Sequence, residues 1–529
     1  MDCAGIINEI KAKFPGFSVI SAVQNYPDEI CLYVRPEIFK DTCLVLHKIL
    51  LSPVKMLFAL DERKMANKFT VHCVFLSAKS GQWVTVAIDV PAENPCFDSL
   101  AKSIYSASLF EREIYEMFGI KPEGNPDLRR LRLHDEVWPQ GSFPLRKDFA
   151  GAPKNISAEN LPAYKFSKVE GNGIFEVPVG PVHAGIIGPG HFRFSVAGEP
   201  IINLEIRLGF THRGVEKLFE GKFLTQALRL AESVDGESAF AHSLAFTQAA
   251  EKIAGISISL QAAYARAIFL ELERMYNHAN DIGGIAVDVG FSFPAAIASI
   301  IKESILQLNE KLTGSRYLKG INTVGGVLRS PEEHEIRMVS GFLKEIKKDF
   351  NQLAKILTTS VSFMDRVDTT GVLKKKTAED IGVAGLAGRA CGIALDLRKN
   401  FAGVYHEAKF KMAVEQSGDV LARLRVRIAE FEESMRLVEF FLSKITPGET
   451  AFPQPQRKEG EALGFAESWR GPVLYWLKTD CNGAIERCKI VDASFCNWQG
   501  LSYAVLGNII PDFPLCNKSF DLSYPGNDL

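Results

Sequence analysis

LQAAYARAIFLELERMYNHANDI, residues 260–282, is the stretch on which the fold turns. Its length and apolar content predict a long helix, and Glu271, Arg274 and His278 fall at i, i+3 and i+7. That spacing stacks all three on one helical face. A second helix is predicted over residues 417–445, where Leu421, Leu424, Ile428, Phe431, Met435, Val438, Leu442 and Ile445 alternate spacings of three and four before TPG ends the pattern. A third is expected to start at SPEEHE, with Ser330 as N-cap, Pro331 in the first helical position and Glu333 completing a capping box. Together with short strand-like runs such as FEVPVG and INLEIRLGF, these predict a mainly α-helical bundle with small β elements at its edges. The apolar run at residues 283–301 is interrupted by Asp288, Pro294 and several glycines. It reads as a buried turn between helices rather than a membrane span.

Upstream the texture differs. EICLYV, VKMLFAL, FTVHCVFL and WVTVAIDV have strand character, and the helical run DSLAKSIYSASLFEREIYEMFG follows them, so residues 1–150 are expected to form an α+β domain. Residues 151–173 are poor in periodic hydrophobics and rich in Pro, Gly, Asn and Ser, as in a linker. Residues 174–529 then form the helical domain. A chain of 529 residues is long enough for two or three cores. Its 61 basic and 63 acidic residues nearly cancel, which argues against a polybasic nucleic-acid binder. The ten cysteines include no CxxC, which argues against a disulfide framework, a zinc ribbon and a cysteine-ligated iron–sulfur cluster on this chain. The N-terminus shows no basic region followed by an apolar one, so a soluble chain without a secretory signal is expected. Neither GNG at 171–173 nor GPG at 188–190 sits in a dinucleotide fingerprint, and no NAD site is assigned.

Two passages carry a family resemblance. EREIYEMFGI (111–120), followed by NPDLRRLRL and PLRKDF, resembles the signature of the 30 kDa subunit of complex I. GPVH (180–183), THRGVEKL (211–218), FAHSLAFTQAAEKI (240–253), LELERMYNHANDIG, DRVDTTGVL and ESWRGP resemble the 49 kDa subunit of complex I and the related large subunit of group 4 membrane-bound NiFe hydrogenases. The fused order is similar to that of the large subunits of formate hydrogenlyase and hydrogenase-4. The resemblance implies a peripheral subunit at the cytoplasmic face of a membrane complex. Its implied partners are an iron–sulfur small subunit holding a [4Fe–4S] cluster and the membrane subunits of an ion-translocating arm.

The resemblance also says which reactive groups to look for. In the hydrogenase branch four thiolates in two CxxC motifs hold nickel and iron, because soft sulfur suits and bridges those metals. The matching stretch here is SVDGESAFAH (233–242), so the first pair of positions holds Asp235 and Ser238. The second pair belongs near the C-terminus, where PDFPLCNKSFDLSYPGNDL offers Cys516 alone. A NiFe centre is therefore not expected. In the complex I branch a loop histidine and a tyrosine hold a quinone headgroup. The tyrosine position falls on Gly236, His191 is a candidate for the histidine, and Asp288 matches the aspartate that partners it. A bound quinone is expected to be absent.

What the resemblance leaves is a candidate proton-handling cavity of His183, Asp235, Glu237 and Asp288, with His191 beside it. Carboxylates brought close together in a buried site raise at least one pKa toward neutrality. A plainer reading stands beside this one. Asp235 and Glu237 sit where a helix dipole favours carboxylates; His183, His212 and His242 fit structural hydrogen bonding; Cys516 fits a small buried hydrophobe. Arg213, Glu216, Glu467 and Arg470 fit either cavity walls or an internal ion-pair network. The expected function is electron transfer coupled to ion movement; a scaffold joining the iron–sulfur partner to the membrane arm is the alternative, and an active hydrogenase a third.

Overall fold

In the computed structural model, which describes residues 3–15, 17–151, 164–184, 187–400, 403–446 and 456–529, each strand-like run of the N-terminal part forms a strand. After helix α1 (Cys3–Lys13) come β1 (Val19–Tyr26), β2 (Glu29–Val34), α2 (Pro36–Leu50), β3 (Met56–Asp61), β4 (Lys68–Ser77) and β5 (Gln82–Pro91). They make one sheet in the order β1-β2-β5-β4-β3, antiparallel except for the β2–β5 pair. Every position of β3 is buried and almost every one of β4, so this side of the sheet is covered on both faces, which explains runs with no polar alternation, whereas β1 is mostly exposed. Helix α2 packs on β4 and β5, and helix α3 (Ser108–Phe118) packs on β3.

The C-terminal part opens with a three-stranded antiparallel sheet of β6 (Ile174–Val179), β7 (His191–Ala197) and β8 (Ile201–Arg207). It continues with α4 (Val215–Phe219), α5 (Ala239–Ala254), α6 (Leu260–Asp288), α7 (Ser292–Thr313), α8 (Glu333–Thr359) and α9 (Val420–Leu442). An antiparallel meander, β9 (Gly460–Glu467), β10 (Pro472–Thr479) and β11 (Ile485–Val491), precedes α10 (Ser494–Ala504), α11 (Phe513–Phe520) and α12 (Tyr524–Asp528). Helix α6 is the axis of the bundle, packed against α7, α9 and α11. The chain is thus an α+β region followed by a helical region with small sheets. The two share apolar core: Trp476 of β10 lies 4.8 Å from Phe58 and 5.5 Å from His72, ring to ring. Leu463, Leu474 and Val491 join the same cluster. Of the linker expected at 151–173, residues 152–163 lie outside the described residues.

Three helix boundaries differ from expectation. Helix α6 continues to Asp288, so the turn before α7 spans only residues 289–291. Helix α8 starts at Glu333, two residues later than expected, with Glu332 rather than Ser330 as the cap. The Glu335 carboxylate accepts the Glu332 N–H at 2.9 Å and also pairs with Arg329, which draws the capping box downstream. Helix α9 runs from Val420, capped by Asp419, and ends at Leu442 rather than residue 445. The start of α6 rests on Ser259, whose hydroxyl accepts the Ala262 N–H at 3.1 Å. Ser259→Ala is expected to lower stability by about 1 kcal/mol in a denaturant titration, the usual cost of a lost N-cap.

Candidate functional site

Arg470 organises the first part of the site. It sits in the tight turn between β9 and β10, closed by reciprocal hydrogen bonds between Ser468 and Gly471. The turn lies against Gly385: a Cβ there would come within 2.1 Å of the Arg470 carbonyl oxygen. Held in this way, the guanidinium stacks on Trp469 at 3.9 Å and reaches three acidic residues. Its Nη1 donates to Asp235 at 2.8 Å, its Nη2 pairs with Glu237, and its Nε donates to the Asp521 carbonyl, with the Asp521 carboxylate 3.8 Å away. Asp235 is buried, whereas the Glu237 side chain is half-exposed.

From Asp521 the charges continue into the bundle. Lys518 pairs with Asp521 at 2.8 Å. Asp281 of α6 shares a hydrogen bond with Asp521 and pairs with Arg427 of α9 at 2.9 Å. Burial, with Asp521 adding to it, raises the Asp281 carboxyl well above the usual range. Burial acts on Asp521 too, but Lys518 and Arg470 outweigh it and hold that carboxyl below its ordinary value. The two therefore form an acid and carboxylate pair. Lys518 lies along α6 at Gly284 and within electrostatic reach of the exposed Asp288.

The stripe expected on residues 260–282 faces inward and meets a second network. His278 lies 2.9 Å from Glu430 of α9, and Arg389 donates to the same carboxylate at 2.8 Å. Arg274 bonds Glu271 at 3.2 Å; Glu271 also receives Arg398, Ser434 and Tyr405. Arg389 continues to Glu467 at 2.7 Å. Burial pushes Glu467 up to about 7, with Asp396 adding, against the pull of Arg389. Burial opposes charge on Glu430 as well, yet Arg389 and His278 hold it well below the carboxylate range. A cavity of about 400 Å³, lined in part by Leu270, Arg398, Tyr405, Phe465 and Glu467, opens beside this network.

Around the start of α5 lie further buried groups. Glu273 accepts the backbone N–H groups of Phe240 and Ala241 at 2.7 and 3.1 Å, and burial pushes its carboxyl up to about 8. His242 faces the Tyr475 hydroxyl at 3.0 Å and Asp492 at 3.4 Å. Ser238 accepts a hydrogen bond from Ser468 at 3.2 Å. Cys516 lies on α11, buried beside Arg423 and Gly371. Among the described residues, the one group of three or more His, Cys, Asp or Glu side chains with mutually close ligand atoms is Asp235, His242 and Asp492, which contains no thiol.

The structure brings together only part of the expected cavity. Asp235 and Glu237 meet on Arg470, and Asp288 is reached through Lys518. His183 and His191 instead close the β6–β7 connection on itself: His183 Nε2 bonds the Gly190 carbonyl at 2.8 Å, and His191 Nδ1 the Gly180 carbonyl at 3.2 Å. Among the described residues neither histidine hydrogen-bonds to Asp235, Glu237 or Asp288. Arg213 donates to the Ser233 and Val234 carbonyls, and Glu216 pairs with Arg487 at 2.8 Å and Lys489 at 3.1 Å. Lys489 also pairs with Glu113 of α3 at 2.6 Å, linking the two regions of the chain. Sequence reasoning missed Glu273, Asp281, Glu430, Asp492 and Asp521. Asp281 had a signal, since it continues the stripe three residues after His278; the others had none.

The site is thus built on two covalently joined regions, an α+β sheet and a helical bundle threaded by buried ion pairs. Residues 32–155 match the respiratory-chain NADH dehydrogenase 30 Kd subunit, and residues 288–458 match the 49 Kd subunit. The chain is 32% identical to formate hydrogenlyase subunit 5 of Escherichia coli (strain K12), over 97% of this chain and 91% of that protein. It is 30% identical to hydrogenase-4 component G of the same organism, over 99% and 92%. A chain in the structure of the membrane-bound sulfane sulfur reductase, an archaeal respiratory membrane complex, superposes with a TM-score of 0.63 at 26% identity, covering 68% of this chain and 99% of that one. The chain belongs to the family of fused 30 kDa/49 kDa subunits that includes formate hydrogenlyase subunit 5 and hydrogenase-4 component G. Among the described residues no helix is long and apolar enough to cross a membrane.

Proposed function

We propose that this chain is the large subunit of an energy-converting oxidoreductase complex, placed peripherally at the cytoplasmic face of the membrane. In this reading it couples electron arrival at a [4Fe–4S] cluster in a partner subunit to proton or ion movement through membrane subunits, without a NiFe centre or quinone of its own. The observation that carries the reading is the Asp281–Asp521 pair: two carboxyl groups that act on each other, the first raised and the second lowered, with Arg427 on one side and Lys518 and Arg470 on the other. The pair lies between two carboxylates that face solvent, Glu237 and Asp288. A change of charge at a neighbouring cluster shifts the balance between the two acids, so the pair holds or releases a proton. Asp235 fixes Arg470, and His183 and His191 shape the adjoining strand connection.

The donors present do not fit a thiolate-held NiFe centre, because the positions matching the first thiolate pair carry a carboxylate and a hydroxyl, Asp235 and Ser238, and Cys516 lies beside Arg423. Elemental analysis of the purified complex is expected to find iron without stoichiometric nickel; one nickel per chain with hydrogen-dependent dye reduction would restore the hydrogenase reading. The coupling role is tested by Asp281→Asn with Asp521→Asn, which keeps shape and removes the exchangeable proton. Assembly is expected to persist and ion-coupled turnover to fall by an order of magnitude or more, as for loss of a general acid–base group (about 10²–10⁴-fold). Full ion-coupled turnover in an assembled double variant would favour the scaffold reading, which the ion pairing of Arg470, Arg389 and Arg427 supports as the alternative.

A further inference from the structure

We infer that Asp235, His242 and Asp492 form a binding site for one divalent metal ion of the manganese and zinc class. The three come from separate segments: the loop before α5, the first turn of α5 and the residue after β11. They are 2%, 0% and 2% exposed, and one ligand atom from each lies within 4.8 Å of the others. The donors are two carboxylate oxygens and an imidazole nitrogen, a set that suits manganese, zinc or ferrous iron rather than the soft-ligand chemistry of a thiolate centre.

The histidine supplies the independent observation. Its Nδ1 is turned to the Tyr475 hydroxyl at 3.0 Å, which leaves Nε2 directed at the carboxylates. Nε2 faces Asp492 Oδ2 at 3.4 Å, an ion-pair contact too long for a well-formed hydrogen bond, and nothing else among the described residues bonds it. A fully buried ring nitrogen with one long contact is poorly satisfied, and a cation seated between it and the carboxylates replaces that contact with a ligand bond.

Each ligand is also held from behind, as metal ligands are. Tyr475 orients His242, the Ser494 N–H donates to Asp492 Oδ1 at 2.7 Å, and Arg470 donates to Asp235 Oδ2 at 2.8 Å. Asp235 Oδ1 receives only the Glu237 N–H, at 3.4 Å, and stays available. The surroundings are acidic as well: the carboxylates of Asp235, Glu237, Asp521 and Asp492 all act on the one guanidinium of Arg470.

The test is a titration of the chelator-stripped full-length chain with Mn²⁺, followed by electron paramagnetic resonance of free ion and by calorimetry. One saturable equivalent per chain is expected, together with a rise in Tm on adding the ion. Asp492→Asn and His242→Gln are expected to weaken binding at least tenfold, and Tyr475→Phe, which keeps all three ligands, by about 10–100-fold as a lost supporting contact does. No saturable binding by the wild-type chain overturns the site whether or not any variant folds, and so does undiminished binding by folded Asp492→Asn. Neither result bears on ion-coupled turnover, so this inference and the coupling proposal stand or fall separately.

Discussion

Arg470→Met is expected to destabilise the chain by about 3–5 kcal/mol, the range seen when one partner of a buried ion pair is removed. Methionine preserves most of the volume beside Trp469 but leaves Asp235 and the Asp521 carbonyl without their donor. The loss is charge on charge, and guanidinium titrations at pH 7.5, followed by tryptophan fluorescence, read it. Arg470→Lys is expected to fall between the two, since an ammonium keeps the charge but cannot span the positions that the guanidinium fork reaches. A change within about 0.5 kcal/mol, as for an ordinary surface substitution, would mean that Arg470 does not hold the loop.

His72 gives a large expected pH effect from a single group. It lies on β4, buried between the two regions, 5.1 Å from Phe58 and 5.5 Å from Trp476 ring to ring, and its Nδ1 has no partner among the described residues. Burial lowers its pKa to about 4 from an ordinary value of 6.5. Between those values the unfolded chain binds more protons than the folded one. Its contribution to stability is therefore complete above pH 6.5 and is lost as the pH falls toward 4, by about 3 kcal/mol in total. His72→Phe keeps a ring in the stack and cannot titrate. The difference between the wild-type and variant stability curves is expected to be flat above pH 7 and to move in favour of the variant below 6.5. Parallel curves from pH 8 to pH 4 would show that His72 is not neutral in the fold.

Much of the secondary structure was legible because local spacing decides it. The stripe Glu271, Arg274 and His278 placed three ionisable groups on one helical face, and the fold turns that face inward. The strand runs of residues 56–77 read correctly because strands covered on both faces demand continuous apolar sequence. Ends were less legible. Ser330 had the right residue type for a cap, but Glu335 has two partners that a spacing rule does not count. Asp235 and Glu237 were legible as neighbours of a helix start, and the lack of any CxxC was legible from the spacing of the cysteines. That His183 and His191 bond their own strand connection was not, since the same residue types serve cavities and turns alike.

By itself, the sequence determined the fused order of an α+β region and a helical region, a long helix over residues 260–282, the charged face along it and the lack of any CxxC pair. These are properties of residue type and of spacing within a turn or a strand. Only the tertiary structure decided which charge meets which. Arg470 and Asp235 are 235 positions apart, His278 and Glu430 are 152 apart, and Lys489 and Glu113 are 376 apart. A pairing of that kind leaves no periodic trace. It depends on how the turn at Gly385 and Gly471 lets two segments approach and on which carboxylates are carried out of water when they do, because an ion pair becomes strong and a lone charge costly only where solvent is excluded.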